Sequence, residues 1–186
     1  MSRPFVPAGF TPPAELVLPD LGVRLEPLGP EHADADYAAW TSSVPHIRAS
    51  PGWAGSSWPR PMTWQHNHDD LVRHRADFDA RTGFAYTVLD TGSGEVVGCV
   101  YLYPLSAPSG GGFDGAVEAE PGVVDLRLWV RADRAGVDGP LALAVLAWVE
   151  AAWPFQRVHA PGRRAQEASW QSTVAKRPTW SNPTAR

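Results

Sequence analysis

Apolar and polar positions alternate over residues 22–28 (GVRLEPL), with Val23 and Leu25 on one face, which predicts a half-buried strand. Residues 84–90 (FAYTVLD) and 95–104 (EVVGCVYLYP) are rich in aromatic and β-branched types. The TGSGE turn between them, with Gly92 and Gly94, predicts a hairpin. A third long strand is predicted at about 122–131 (GVVDLRLWVR). Pro30 and Glu31 open a helical stretch whose apolar face holds Tyr37 and Trp40. Thr63 suits the N-cap of a helix over about 64–81, with Trp64, Leu71 and Phe78 as apolar positions and Gly83 beyond its end. Residues 137–152 predict a strongly apolar helix, with Pro140 tolerable only in its first turn and Pro154 as its stop. A short strand, Arg157–Ala160, is closed by Pro161 and Gly162. Between these elements lies an irregular segment, 44–62, with His46, Arg48, Trp53 and Trp58 on a Pro/Gly frame. A loop of that length inside a compact domain is usually functional.

The element order is β-α-α-β-β-β-α-β. Three consecutive strands form a meander, and the final strand–helix–strand unit needs a right-handed parallel crossover. The expectation is an α/β fold with a mixed central sheet and helices on both faces. Residues 1–20 read as a Pro-rich arm pinned by Phe5, Phe10, Leu16 and Leu18, residues 21–162 as the domain, and residues 163–186 as a tail.

Composition narrows the class. A length of 186 residues with 44% hydrophobic and 19% charged suits one globular domain. The net charge of −4, with no basic stripe, gives nucleic-acid binding no support. The tail is locally basic, holding Arg163, Arg164, Lys176, Arg177 and Arg186 against Glu167 alone. It reads as a solvated end or one polar helix over 163–177. Cys99 is the one cysteine, so no disulfide forms within the chain, as in a reducing compartment. The N-terminus lacks a signal-peptide pattern, and no run of 18 apolar residues suggests a membrane span. A cytoplasmic protein is expected.

Three stretches carry a family resemblance: GVRLEPLGPEHADADYAAW, GFAYTVLDTGSGEVVGCVYLYP and DLRLWVRADRAGVDGPLALAVLAWVEAAWPFQRVHAPGR. Across about residues 20–162 the chain resembles the GNAT superfamily of N-acetyltransferases. The resemblance implies acetyl-CoA as co-substrate, a small-molecule amine as acceptor, and a monomer or homodimer. It implies that pantetheine inserts where the last two strands splay, and that the following helix N-terminus cradles the pyrophosphate. The strand end Trp129, Val130 and Arg131 would then supply backbone contacts to the cofactor. The family's loop, Gln/Arg-x-x-Gly-x-Gly/Ala, falls from Val130 onto Ala135, Asp138 and Pro140. Asp138 would repel a pyrophosphate or cap the helix, and Pro140 removes a donor. A shifted register assigns the phosphates to Arg134, Gly136 and Gly139. The family's late general-acid tyrosine has no counterpart, because the last tyrosine is Tyr103. An alternative is a GNAT-derived protein that binds a ligand or partner without acetyl transfer, or a scaffold repurposed in specialised metabolism.

Within that frame Asp125 is the candidate base for the amine, or an ion-pair partner of Arg127 on the same strand face. Glu118 and Glu120 are loop acids nearby. His46, Trp53, Trp58 and His74 are candidates for acceptor binding, since aromatic walls suit an apolar, aromatic or cationic amine. His66, Asp70 and His74 share one helical stripe, which is too few ligands from one element, so no metal is expected. Cys99 reads as an inert core thiol. No P-loop, nucleophile elbow or dinucleotide fingerprint is present.

Overall fold

A computed structural model describes residues 5–105 and 122–163. The loop at 106–116, Glu118, Glu120 and the tail beyond Arg163 lie outside the described residues. Strands β1 (Leu16–Leu18), β2 (Val23–Pro27), β3 (Phe84–Asp90), β4 (Val96–Pro104), β5 (Val123–Val130) and β6 (Arg157–His159) form one sheet in chain order. Neighbours are antiparallel from β1 to β5, and β6 runs parallel to β5. Helices α1 (Ala33–Thr41), α2 (Val44–Ala49) and α3 (Trp64–Ala80) precede β3, and α4 (Ala135–Ala152) makes the β5–β6 crossover.

The local chemistry explains these boundaries. The Asp90 carboxylate accepts from the N–H groups of Gly92 and Ser93, both at 2.9 Å, and so fixes the β3–β4 turn. Thr63 caps α3 by accepting from the His66 N–H at 3.2 Å. Strands β3 and β4 are apolar almost throughout because both faces are covered. On one face α4 packs Leu141, Val145, Trp148 and Val149 against Tyr86, Val100, Leu126 and Leu128. The other face, under α1 and α3, holds Trp40, Trp53, Leu71, Tyr101, Tyr103 and Trp129. By length and hydropathy, α4 with its leading turn would pass for a membrane span, but here it is a core helix of the sheet.

Three expectations are corrected. The arm contains β1, paired with β2, and is tied down by Tyr86, whose hydroxyl donates to the Pro13 carbonyl at 2.6 Å. Arg81 adds bonds to the carbonyls of Pro7, Ala8 and Phe10. Segment 44–62 opens with α2, whose Pro45 sits in the first turn, where a missing N–H costs nothing. Helix α4 starts two residues early, at Ala135, so Pro140 lies inside it. The proline forfeits the helical bond to the Gly136 carbonyl, four residues back.

The β4–β5 pairing depends on Gly98. A Cβ there would lie 2.0 Å from the Trp129 carbonyl oxygen. Gly98→Ala is therefore expected to destabilise the fold by about 2 kcal/mol or more, read by urea unfolding. A stability within experimental error of the wild type would show that β5 shifts freely.

Candidate functional site

Strand β5 pairs with β6 only at Val123↔Arg157, Val124↔Val158 and Asp125↔His159. Beyond Asp125 the two strands part. The Arg131 N–H donates to the Val97 carbonyl of β4 at 2.8 Å. Alternate residues of an antiparallel strand turn their backbone polar groups to opposite edges. Leu126, Leu128 and Val130 therefore direct theirs into the notch between β5 and β6.

Two side chains occupy that notch. The Leu128 carbonyl accepts from the Trp53 indole at 2.7 Å and from the Arg163 guanidinium at 3.2 Å. Arg163 is only 3% exposed. It also makes a two-pronged ion pair with Asp138, one prong at 3.1 Å. Asp138 lies in the first turn of α4, where the helix dipole favours a carboxylate. It therefore does not cap the helix, and Arg163 belongs to the body of the domain rather than to the tail.

The residues expected to hold phosphates are spread around this helix end. Arg134 pairs with Asp90 at 2.8 Å. The Ser93 N–H, that guanidinium and the Gly92 N–H hold the Asp90 carboxyl well below the usual range. Arg131 bonds Asp133 at 2.9 Å and lies 3.5 Å from Glu95. Gly136 faces open space in the first turn of α4, and Gly139 falls in its second turn. The Val130 side chain is buried on the α4 face, whereas Trp129 is buried on the opposite face and donates to the Tyr101 hydroxyl at 3.2 Å.

On that opposite face lies a small chamber of about 20 Å³, room for one water, lined by Asp36, Trp53, Trp58, Asn67, Asp70, Leu71, His74 and Tyr101. Trp58 closes it, its ring 4.7 Å from that of Trp53 and 6.0 Å from those of Trp40 and Trp129. The loop carrying Trp53 and Trp58 is held by Arg48 to the Pro59 carbonyl at 2.7 Å and by Arg127 to the Gly52 carbonyl at 2.8 Å. Trp53 is thus shared: its ring walls the chamber and its N–H faces the notch. A larger, open cleft of about 420 Å³ lies beside it, between Gly52–Ser56, Arg127 and the Pro161–Gly162 turn.

The chamber is rich in hydrogen-bond acceptors. Asp36 accepts from the Asn67 amide at 3.1 Å and from the Cys99 thiol at 3.3 Å. Burial raises its carboxyl to about 6, with the charge of Asp70 adding and those bonds and His32 opposing. Burial lowers His74 to about 3, which keeps the imidazole neutral. Tyr103 donates its one proton to Asp77 at 3.1 Å. His74 Nδ1, 2.6 Å from the same hydroxyl, is then the donor of that contact, which leaves Nε2 as an acceptor.

Of the expected acceptor residues, Trp53, Trp58 and His74 meet in this chamber. His46 does not line it: it stands half-buried on α2, its Nε2 without a hydrogen-bond partner. Asp125 is held from both sides, by Arg127 at 2.9 Å and by His159 at 2.8 Å. The buried stripe of α3 is Asn67, Leu71 and His74, and His66 points to solvent. No metal-binding cluster occurs among the described residues. Sequence reasoning missed Asp36, Asn67 and Arg163. For Asn67 a signal was available: a polar residue in the i, i+4, i+7 slots that Leu71 and His74 complete.

The chain has the fold of the GNAT superfamily acetyltransferases. RimL, a ribosomal L7/L12 alpha-N-protein acetyltransferase, aligns in its apo form at a TM-score of 0.57 and 10% identity, over 89% of this chain and 83% of that one. Mycobacterium smegmatis RimJ, in complex with CoA-disulfide, aligns at 0.52 and 18% identity, over 85% and 71% of the two chains. The ribosomal-protein-S5-alanine acetyltransferase from Vibrio fischeri gives 0.54 and 10%, over 83% and 79%. No protein-family model and no curated protein matches the chain. In the arrangement described, the notch does not fit coenzyme A. Arg163 fills it, the Leu128 carbonyl is already taken, and Asp138 puts a negative charge where phosphates would lie.

The chamber's titration has a signature. Asp36 holds a proton in the folded chain that an unfolded carboxyl loses above about pH 4. Its contribution to stability therefore falls as pH rises from about 4 through about 6. His74 acts with the opposite sign, favouring the fold increasingly from about pH 3 to about 6.5. Asp36→Asn removes only the first effect. Relative to wild type, the variant is expected to gain roughly 2–3 kcal/mol between pH 4 and 6 in urea unfolding. A difference that stays constant over this window would mean that Asp36 does not titrate there.

Proposed function

We propose that the chain is an N-acyltransferase that moves an acetyl group from acetyl-CoA to an amine. The observation that carries this reading is the notch itself: β5 parts from β6 after Asp125, and α4 follows with its N-terminus at the opening. In this fold such a notch is the place for the cofactor's pantetheine and phosphates. Val130, Arg134, Gly136 and Gly139 remain the proposed cofactor contacts, once Arg163 has left the notch; Trp129 and Arg131, expected beside them, turn their backbone groups to β4 instead.

The amine arrives on the chamber side. Asp36, with a carboxyl raised to about 6, is mostly ionised near neutral pH yet basic enough to take the amine's proton. Asp70 and His74 line the chamber beside Asp36, and the indoles of Trp53 and Trp58 favour a cationic guest. We assign proton acceptance to Asp36, which lines the chamber, in preference to Asp125, which is held in ion pairs with Arg127 and His159. The chamber has room for one water and takes the amine's proton rather than the amine itself, so its size does not choose the acceptor; a small-molecule amine is one proposed acceptor. RimL, a ribosomal L7/L12 alpha-N-protein acetyltransferase, and the ribosomal-protein-S5-alanine acetyltransferase of Vibrio fischeri support a protein amine instead.

A second reading is favoured by one observation, the buried Asp138–Arg163 pair in the notch. On it, the chain keeps the fold and the chamber but binds a ligand or partner without acyl transfer. Calorimetric titration with acetyl-CoA separates the two. Micromolar binding supports the first reading, and no heat up to millimolar cofactor leaves the second. Mass spectrometry of small amines and of peptides incubated with acetyl-CoA then identifies the acceptor class. If transfer occurs, Asp36→Asn is expected to slow it by about 100-fold or more, with acetyl-CoA affinity unchanged. A rate within a few-fold of wild type would remove Asp36 from this role.

A further inference from the structure

We infer that Arg163 is an internal occupant of the cofactor notch, and that coenzyme A binds only when this side chain is released; this rests on the proposed use of acetyl-CoA. The geometry supplies three independent contacts. The guanidinium donates to the Leu128 carbonyl, one of the outward-facing backbone groups of β5. It makes a two-pronged ion pair with Asp138 at the start of α4. The turn that delivers it, Pro161–Gly162, is seated on the loop of the other wall: a Cβ on Gly162 would lie 3.1 Å from Pro51, and one on Gly52 would lie 3.4 Å from the Pro161 carbonyl oxygen.

The first two contacts each match a part of coenzyme A in chemical kind. The Arg163 donor satisfies the strand edge, as an inserted strand-like chain would. The Asp138 carboxylate supplies the anion that a helix N-terminus attracts, as a phosphate would. The Asp138–Arg163 pair therefore completes the notch from within. It also explains how one departure from the family loop coexists with an intact fold: Asp138 is neutralised by Arg163 instead of repelling its surroundings. A site whose open form is a minor fraction binds its ligand more weakly by that fraction.

The sign of one substitution separates this inference from plain electrostatics. Arg163→Ala removes a positive charge beside a phosphate site, which by charge alone weakens coenzyme A binding. Release of the notch instead strengthens it, by about tenfold if the open form is about one-tenth of the population. Because Arg163→Ala leaves the Asp138 charge buried and unpaired, the double variant Arg163→Ala/Asp138→Asn is measured beside it. The double variant removes one charge of each sign and so leaves net electrostatics unchanged. Calorimetry of coenzyme A against the full chain is expected to give tighter binding in both variants than in wild type. Equal or weaker binding in the variants, with wild type still binding, overturns the internal occupant and leaves acetyl-CoA use intact. No binding by any of the three proteins overturns both.

Discussion

The organising constraint of this molecule is the unpaired edge of β5. A strand in the middle of a sheet has backbone donors and acceptors on both edges, and buried ones must find partners. Strand β4 satisfies one edge along the whole length of β5, but β6 satisfies the other only as far as Asp125. The Leu128 carbonyl is left to side chains, and two distant segments supply them. Trp53 comes from the loop after α2, and Arg163 from the turn after β6. The seating of that loop, the burial of Arg163 and the pairing of Asp138 all follow from this one edge.

The same edge divides the two faces by chemistry. On the α4 side, Leu126, Leu128 and Val130 meet an apolar helix, and the packing is hydrocarbon on hydrocarbon. On the other side, Cys99, Tyr101, Tyr103 and Trp129 meet Asp36, Asn67 and His74. Burying these polar groups is tolerable because each is bonded: Trp40 to Asn67 at 2.8 Å, Asn67 to Asp36, and His74 to Tyr103. A network of this kind at the end of a tryptophan-walled chamber is where perturbed titration and ligand recognition coincide.

How far the sequence reveals this depends on whether a feature is local or tertiary. Strands β2 to β5 and helices α3 and α4 are legible because period, turn glycines and caps act within a few residues. Strand β1 is not, since Leu16–Leu18 is too short to show a period and lies among prolines. Helix α2 is hidden for the same reason, being six residues with a proline in its first turn. In the site, Trp53, Trp58 and His74 stand out by residue type and loop context. Asp36 looks like an ordinary acid in the first turn of a helix, and only its burial against β4 gives it a raised pKa. Arg163 looks like the first residue of a basic tail, because the notch that buries it is made by residues 25 or more positions away.

Asp138 carries the last step. Read along the chain, it is a residue that spoils a phosphate site. Placed in the fold, it is the anchor of the side chain that fills that site. If the notch were merely a relic, the direct way to satisfy β5 would be to extend β6 alongside it and close the sheet. Instead β6 stops after His159, and the gap is filled by the Trp53 indole and by one long, charged side chain delivered by a turn. A backbone ladder, once formed, opens only with the sheet, whereas a guanidinium can swing away by rotating about its own bonds. The notch is thus closed by the kind of contact that can be exchanged for a ligand, and its negative partner sits where that ligand's own anion would be held.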